Sequence, residues 1–224
     1  MANVLRYVFG GLAEVLQSCL RYEDTDRQGA STAFLKRALD ITGALVLLTM
    51  AMPLMLVTAV AVFVDGQGPV LDRQKRIGLR GRVFTRLRFR TLRLNAERDG
   101  AAHGTRKCGA RRTSVGAFIH RSRIDELPHL FSVLVGDMSL VGPRPETPGV
   151  AARLRKEIPL YDARHAVKPG MTGYAQVHGR VRASFDDPWP RHQLDVHYVN
   201  SNSVGLDWLV LLETVRVTLS RNGR

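Results

Sequence analysis

Ile41 to Val64, ITGALVLLTMAMPLMLVTAVAVFV, is a run of 24 residues without one charged side chain. A straight helix of that length reaches about 36 Å, enough to cross a hydrocarbon core of about 30 Å. A helix buried in a soluble protein rarely runs so far without a polar face, so the run predicts membrane insertion. Pro53 divides it into twelve uncharged residues, Ile41 to Met52, and eleven, Leu54 to Val64. Proline deletes one helical hydrogen bond and clashes with the preceding turn, so Met52-Pro53 is the expected bend. Each arm measures about 17 Å, too short to span alone.

The flanks bear on topology. Arg27, Lys36 and Arg37 lie upstream, and Arg73, Lys75, Arg76, Arg80 and Arg82 lie downstream. Basic residues collect on the cytoplasmic side, so a spanning helix would put one cluster on the wrong side. A bent, re-entrant segment keeps both on one face; an ordinary kinked span is the competing topology. Backbone groups freed at the bend need partners within the protein, and Thr49 and Thr58 are candidates.

Downstream, Gly66, Gly68 and Pro69 read as a turn. Residues 73–93 then hold nine basic side chains and no acidic one. From Val83 to Thr91 the pattern alternates, with Phe84, Arg86, Arg88 and Arg90 on one side and Val83, Thr85, Leu87 and Phe89 on the other. That is strand periodicity with a row of guanidinium groups on one face. The row suits a solvated face beside anionic lipid and also a phosphate-binding ridge, two compatible readings. Residues 94–113 are polar and glycine-containing, and helical character resumes around Ser114–Ile119. The C-terminal segment 203–219, which carries Trp208, has helical amphipathic spacing suited to the core or to a membrane interface.

Upstream, residues 1–20 have a rough helical period interrupted at Gly10-Gly11, without the compact apolar block and cleavage site of a secretory signal. Residues 21–33 read as a polar linker. The 224 residues carry 33 Lys+Arg against 20 Asp+Glu, a net charge of +13, with 45% hydrophobic residues. This is too apolar for a disordered basic tail and fits one domain with an accessory segment. Cys19 and Cys108 make no disulfide framework. Only five of the basic residues are lysine. Arginine's planar fork grips phosphate oxygens in pairs, although a GC-rich genome also raises arginine. The charge implies an acidic partner: nucleic acid, anionic lipid or a phosphorylated metabolite.

Within SRIDELPHLFSVLVG (122–136), Asp125 and Glu126 are adjacent. Pro128 is tolerated only in a first helical turn, so a helix is expected to begin near Ser122–Asp125 and to end at Gly136. The two carboxylates then sit at a helix N-terminus, which favours anions and attracts a phosphoryl group. Their mutual repulsion invites a divalent cation; plain helix capping is the simpler alternative. In GDMSLVGPRPE (136–146), Pro143 and Pro145 restrict the backbone around Arg144, pre-aiming a guanidinium suited to pyrophosphate. VKPGMTGYAQVHGR (167–180) is a turn-rich loop ending at Arg180. No Walker loop, dinucleotide fingerprint or cysteine-based zinc pattern is present. The scattered histidines His120, His129, His165, His178, His192 and His197 lack ligand spacing and read as surface or structural residues.

Four segments occur in one order: KRALDITGALVLL…MPLML, GPVLDRQKRIGLRGRVFTRLRFRTLR, RIDELPHLFSVLVGDMSLVGPRPE and VKPGMTGYAQVHGR. Together, over about residues 34–219, they resemble the bacterial sugar transferase family, the monotopic polyprenyl-phosphate phosphoglycosyl transferases, in its short form. The resemblance implies an α+β, mainly helical monotopic membrane protein at the cytoplasmic face of the bacterial inner membrane. Its parts would be an N-terminal extension (1–33), a Pro-bent re-entrant membrane helix (34–65) and a small cytoplasmic catalytic domain (66–224) carrying interfacial amphipathic helices.

The resemblance further implies that Asp125 attacks a UDP-sugar and releases UMP. Undecaprenyl phosphate then takes the phosphosugar from the covalent intermediate, as the first membrane step of exopolysaccharide or a related glycan. Mg2+ is the implied cofactor, with Asp125 and Glu126 as its holders. Arg88, Arg144 and Arg180 match basic positions near the phosphates or nucleotide, and Asp207 matches a recurrent acidic position among the substrate-binding candidates. A second copy of the chain is a further candidate partner.

Three departures stand out: Met52-Pro53 where Ser-Pro is common, Arg123 in place of a small residue, and Asn95 where aspartate is common. Two other function classes compete. A membrane-tethered nucleic-acid binder would draw on the basic run, which has few aromatics for stacking, so nucleic acid is not the expected partner. A catalytically inactive scaffold would release no UMP.

Overall fold

The computed structural model describes residues 30–65, 68–92, 112–178 and 188–219. The N-terminal extension up to residue 29, Asn95 and Arg180 lie outside them. Among the described residues the chain is mainly helical with two small two-stranded sheets, in keeping with an α+β class.

Helix α1 (Ala30–Asp65) contains Pro53 within its span. It is long and apolar enough to cross a membrane over Ala33–Asp65. Asp40, Ala44, Leu48, Met55, Thr58 and Val62 are buried. Their spacings of four, four, seven, three and four trace one stripe of a 3.6-residue helix against the protein. Leu45, Val46, Met50, Leu54, Val57, Val60 and Phe63 stay exposed, so α1 carries an apolar face that the rest of the described chain does not cover. Thr49 Oγ1 donates to Leu45 O at 2.9 Å and Thr58 Oγ1 to Leu54 O at 2.7 Å. Each threonine thus bonds within its own turn instead of reaching the carbonyl that Pro53 leaves without a helical donor.

Strands β1 (Leu71–Ile77) and β2 (Val83–Phe89) form an antiparallel hairpin with Asp72 opposite Arg88, Gln74 opposite Arg86 and Arg76 opposite Phe84. Helix α2 (Ser114–Arg121) begins on Thr113, whose side chain accepts from Gly116 N. Helix α3 (His129–Val135) ends at Gly136, whose φ of 102° suits a residue without Cβ. Strand β3 (Ser139–Val141) pairs in parallel with β4 (Gly170–Thr172). Helices α4 (Pro148–Glu157), α5 (Tyr174–His178), α6 (Trp189–Ser201) and α7 (Val204–Leu219) complete the described chain.

The main core joins Phe89, Ile119, Leu130, Val133, Met138, Leu140, Val141, Tyr198 and Val210 to the buried stripe of α1. Polar ties fix both ends of that helix to the same body. At its start, Arg37 donates to Val133 O at 2.7 Å and to Leu134 O at 2.8 Å, satisfying carbonyls in the last turn of α3. Asp40 Oδ1 accepts from Ser139 Oγ and Leu140 N, both at 2.9 Å. At the other end, Asp65 Oδ2 accepts from Val115 N at 3.1 Å, placing an anion at the α2 N-terminus. Arg90 Nη2 donates to Val62 O at 3.4 Å.

Candidate active site

The approach to Asp125 differs from the single helix expected over 122–136. Helix α2 closes at Ser122, Arg123 turns left-handed at φ 58°, and Ile124–Glu126 form a separate 3-10 turn before α3 begins at His129. Pro128 lacks the N–H that would join the two into one ladder. Short-range bonds therefore take over: Glu126 N to Arg123 O, and Leu127 N to Ile124 O, both at 3.1 Å. The helix end at Gly136 agrees with the sequence reading. The environment of the carboxylates is set mainly by guanidinium groups, with the short α3 as a lesser contributor.

Asp125 is 1% exposed. Its Oδ2 accepts from Arg88 Nε at 2.7 Å and also contacts Arg88 Nη2. His120 Nδ1 lies 3.1 Å from the same oxygen and 2.7 Å from Arg88 Nη2. Asp125 Oδ1 is buried and has no hydrogen-bond partner among the described residues. Among the described residues, one oxygen is therefore held by Arg88 while the other is left without a donor.

Glu126 Oε1 accepts from Arg144 Nη2 at 2.7 Å. Burial opposes the Glu126 charge, but the Arg144 guanidinium outweighs it and holds the carboxyl at about 2. Arg144 responds in kind: burial pulls it down, and Glu126 raises it above its ordinary value.

Arg86 and Arg90 are buried at 3% and 9% exposure. The guanidinium face of β2 thus points into the protein, and the solvated-face reading does not hold for these two. Gln74 Oε1 accepts from Arg76 Nη2 at 2.7 Å and from Arg86 Nη2 at 3.1 Å, so two cations share one neutral oxygen. Burial, then Arg76 and Arg144, lower Arg86 to about 9, which leaves it charged at neutral pH. Arg76 is lowered chiefly by burial, with Arg144 and Arg88 contributing. Clustered guanidinium groups, two of them without a carboxylate partner among the described residues, suit a phosphate-bearing anion.

Asp125, Glu126, Arg88 and Arg144 thus come together. Asp207 does not join them. It is fully buried, paired with Lys36 Nζ at 2.5 Å, and accepts from the Tyr198 hydroxyl at 2.6 Å. Met52 is exposed beside Pro53 on α1. The site also holds residues that the sequence reading treated as structural or did not single out: His120, His129 and Gln74. Gln74 faces Arg86 across the hairpin, but β1 had to be recognised before that could be read.

His129 is 2% exposed, and its Nε2 has no hydrogen-bond partner among the described residues. Burial first, and Arg86 next, push its pKa from 6.5 down to about 3. A folded pKa below the unfolded one means that the unfolded chain binds more protons in between. The stability that neutral His129 confers is therefore complete above about 6.5 and is lost as pH falls towards 3. Glu126 adds a loss in the same direction below 4.5. In urea titrations from pH 7 to 5, wild-type stability is expected to fall, and His129→Gln to lose less over that range. Equal slopes would contradict this assignment.

A buried carboxylate with one oxygen unpartnered among the described residues, set beside clustered guanidinium groups, suits a phosphorylated anion. The chain belongs to the bacterial sugar transferase family, whose model matches residues 31–221. It is 41% identical over 191 residues to UDP-N-acetylgalactosamine-undecaprenyl-phosphate N-acetylgalactosaminephosphotransferase of Aeromonas hydrophila, covering 85% of this chain and 45% of that protein. Undecaprenyl-phosphate glucose phosphotransferase of Komagataeibacter xylinus is 40% identical over 193 residues, covering 84% and 36%. Exopolysaccharide production protein PSS of Rhizobium leguminosarum bv. phaseoli is 38% identical over 193 residues, covering 84% and 96%. The chain spans less than half the length of the first two relatives and nearly all of the third.

Proposed function

We propose that this chain transfers a sugar 1-phosphate from a UDP-sugar to undecaprenyl phosphate at the cytoplasmic face of the bacterial inner membrane. The observation that carries this reading is the state of Asp125, with Oδ2 held by Arg88 and Oδ1 buried and unpartnered among the described residues. Oδ1 attacks the β-phosphorus of the UDP-sugar. The bond to the bridging oxygen breaks, and UMP leaves with the electron pair. An oxygen of undecaprenyl phosphate next attacks the phosphorus of the aspartyl phosphosugar, forming undecaprenyl-diphosphate-sugar and freeing the Asp125 carboxylate. Splitting one displacement in two replaces a difficult step with two easier ones. Arg88 orients the nucleophile, and Arg144 with the Arg76–Arg86 pair offsets charge on the diphosphate.

Mg2+ fits the residues present. Among the described residues no group of three or more His, Cys, Asp or Glu side chains suits a metal, but magnesium commonly takes one or two carboxylates and fills its shell with water and substrate phosphates. Asp125 and Glu126 would hold it there, where it would neutralise phosphate charge.

The re-entrant topology is part of the proposal. Both ends of α1 bond to one polar body, and its buried stripe runs along that body past Pro53, while the opposite face is apolar. In a background with Cys19 and Cys108 replaced by serine, Leu35→Cys and Lys75→Cys are expected to react with an impermeant maleimide only from the cytoplasmic side. Labelling of Leu35→Cys from the opposite side would defeat this topology.

The reaction is tested without acceptor. Detergent-solubilised protein with Mg2+ and the correct UDP-sugar should release about one UMP per active site and stop, then resume when undecaprenyl phosphate is added. UMP release that requires the acceptor from the outset would exclude the two-step route, and none from any UDP-sugar would favour an inactive scaffold.

A further inference from the structure

The backbone carrying Arg144 is pinned at four successive carbonyls. Pro143 O accepts from Gly170 N at 3.0 Å, and Glu146 O accepts from Ile77 N at 3.0 Å. Pro145 O accepts from Arg76 Nη1 at 3.4 Å. Arg144 O accepts from Arg164 Nη2 at 2.9 Å. Three of these partners come from β4 and the β1 end of the hairpin; the fourth is a side chain from the 3-10 helix Tyr161–Ala166.

Arg164 is itself locked. It is 3% exposed and forms an ion pair with Asp195 Oδ2 at 2.7 Å, and Asp195 is 2% exposed on α6. Its Nη1 donates to the Tyr161 hydroxyl at 2.8 Å and lies 3.9 Å from Glu146 Oε1. Glu146 is paired in turn with Arg191 Nη2 at 3.0 Å. A buried charge with this many fixed partners has little freedom, so the carbonyl that it holds has little freedom either.

We propose that Arg164, clamped by Asp195, is a positioning residue for Arg144: it fixes the peptide from which the Arg144 guanidinium reaches Glu126 and the substrate diphosphate. This rests on the phosphosugar-transfer reading for the identity of the anion. Pairing alone would not require a bond to the Arg144 carbonyl. Arg164 Nη2 reaches both that carbonyl and the Asp195 carboxylate, while Nη1 on the other arm of the same planar fork reaches the Tyr161 hydroxyl, a set of contacts that a single lysine ammonium cannot make with the same geometry.

The test is a double-mutant cycle on UDP affinity, measured by calorimetry with Mg2+, alongside UMP release. Arg144→Gln and Arg164→Lys are each expected to weaken UDP binding by about tenfold, the scale of a misplaced positioning contact, and the double variant by little more than either alone. Arg164→Lys keeps the charge opposite Asp195 but gives up part of the buried contact set, so its thermal unfolding should drop only modestly, and Asp195→Asn provides a second route to the same loss of affinity. A purely structural Arg164 would lower stability without coupling to Arg144. Additive losses, or full UDP affinity in both Arg164→Lys and Asp195→Asn, would overturn the proposal, as would a wild-type protein that does not bind UDP. Wild-type protein that binds UDP but releases no UMP would defeat the transfer reading while leaving the cycle informative.

Discussion

Asp125→Asn is expected to lower sugar-phosphate transfer by about 10³-fold or more, since both half-reactions pass through the carboxylate that the amide cannot replace. The substitution changes one atom and no volume. The amide oxygen can still accept from Arg88, so the turn at Ile124–Glu126 should persist and membrane association should match wild type. The measurement is UMP release and lipid-linked product formed by equal amounts of membrane-extracted protein. Activity within tenfold of wild type would remove Asp125 as nucleophile and leave it as an electrostatic partner of Arg88.

The second large effect concerns stability. Asp207 is fully buried against Lys36, which is 18% exposed, with Tyr198 donating to the other carboxylate oxygen. Burial, followed by the neighbouring Asp207 charge, raises the Tyr198 hydroxyl far above its ordinary range, so it stays a donor. Lys36 Nζ also reaches Val141 O at 3.4 Å, so this network fastens the start of α1 to β3, α6 and α7 at once. Removing one partner of a buried pair leaves an uncompensated charge and costs about 3–5 kcal/mol. Asp207→Asn should show that loss in denaturant titrations, while the protein that stays folded keeps its KM for the UDP-sugar. Unchanged stability with a raised KM would return Asp207 to the substrate-binding role that the family resemblance implies.

These two residues show what could be read from the chain and what could not. The helix around Pro53 was legible because 24 uncharged residues have few soluble explanations. The β2 strand was legible by its period of two, which says which side chains share a face but not which face turns inward. Hydrophobicity alone would have buried Val83 and Leu87. Instead Arg86 and Arg90 are inside, where Gln74 Oε1 accepts from Arg86 and Val62 O accepts from Arg90, partners that lie elsewhere in the chain. β1, LDRQKRI, has no apolar alternation of its own; pairing with β2 defines it. The carboxylate pair and Arg144 stood out through their flanking prolines. The approach of His120 to Asp125 did not, since it depends on the left-handed turn at Arg123, a conformation that a non-glycine residue seldom advertises. Asp207 and Lys36 are 171 positions apart, and only the folded chain brings them together.

The proposed reaction turns on a phosphorus–oxygen bond to one side chain. Wild-type protein incubated with UDP-sugar and Mg2+ in the absence of undecaprenyl phosphate, quenched in acid and digested, should yield a peptide containing Asp125 heavier by one sugar phosphate. That mass should be absent from Asp125→Asn and should disappear when undecaprenyl phosphate is added before the quench. A protein that turns over normally yet shows no adduct at Asp125, or shows it on another residue, would contradict that reaction.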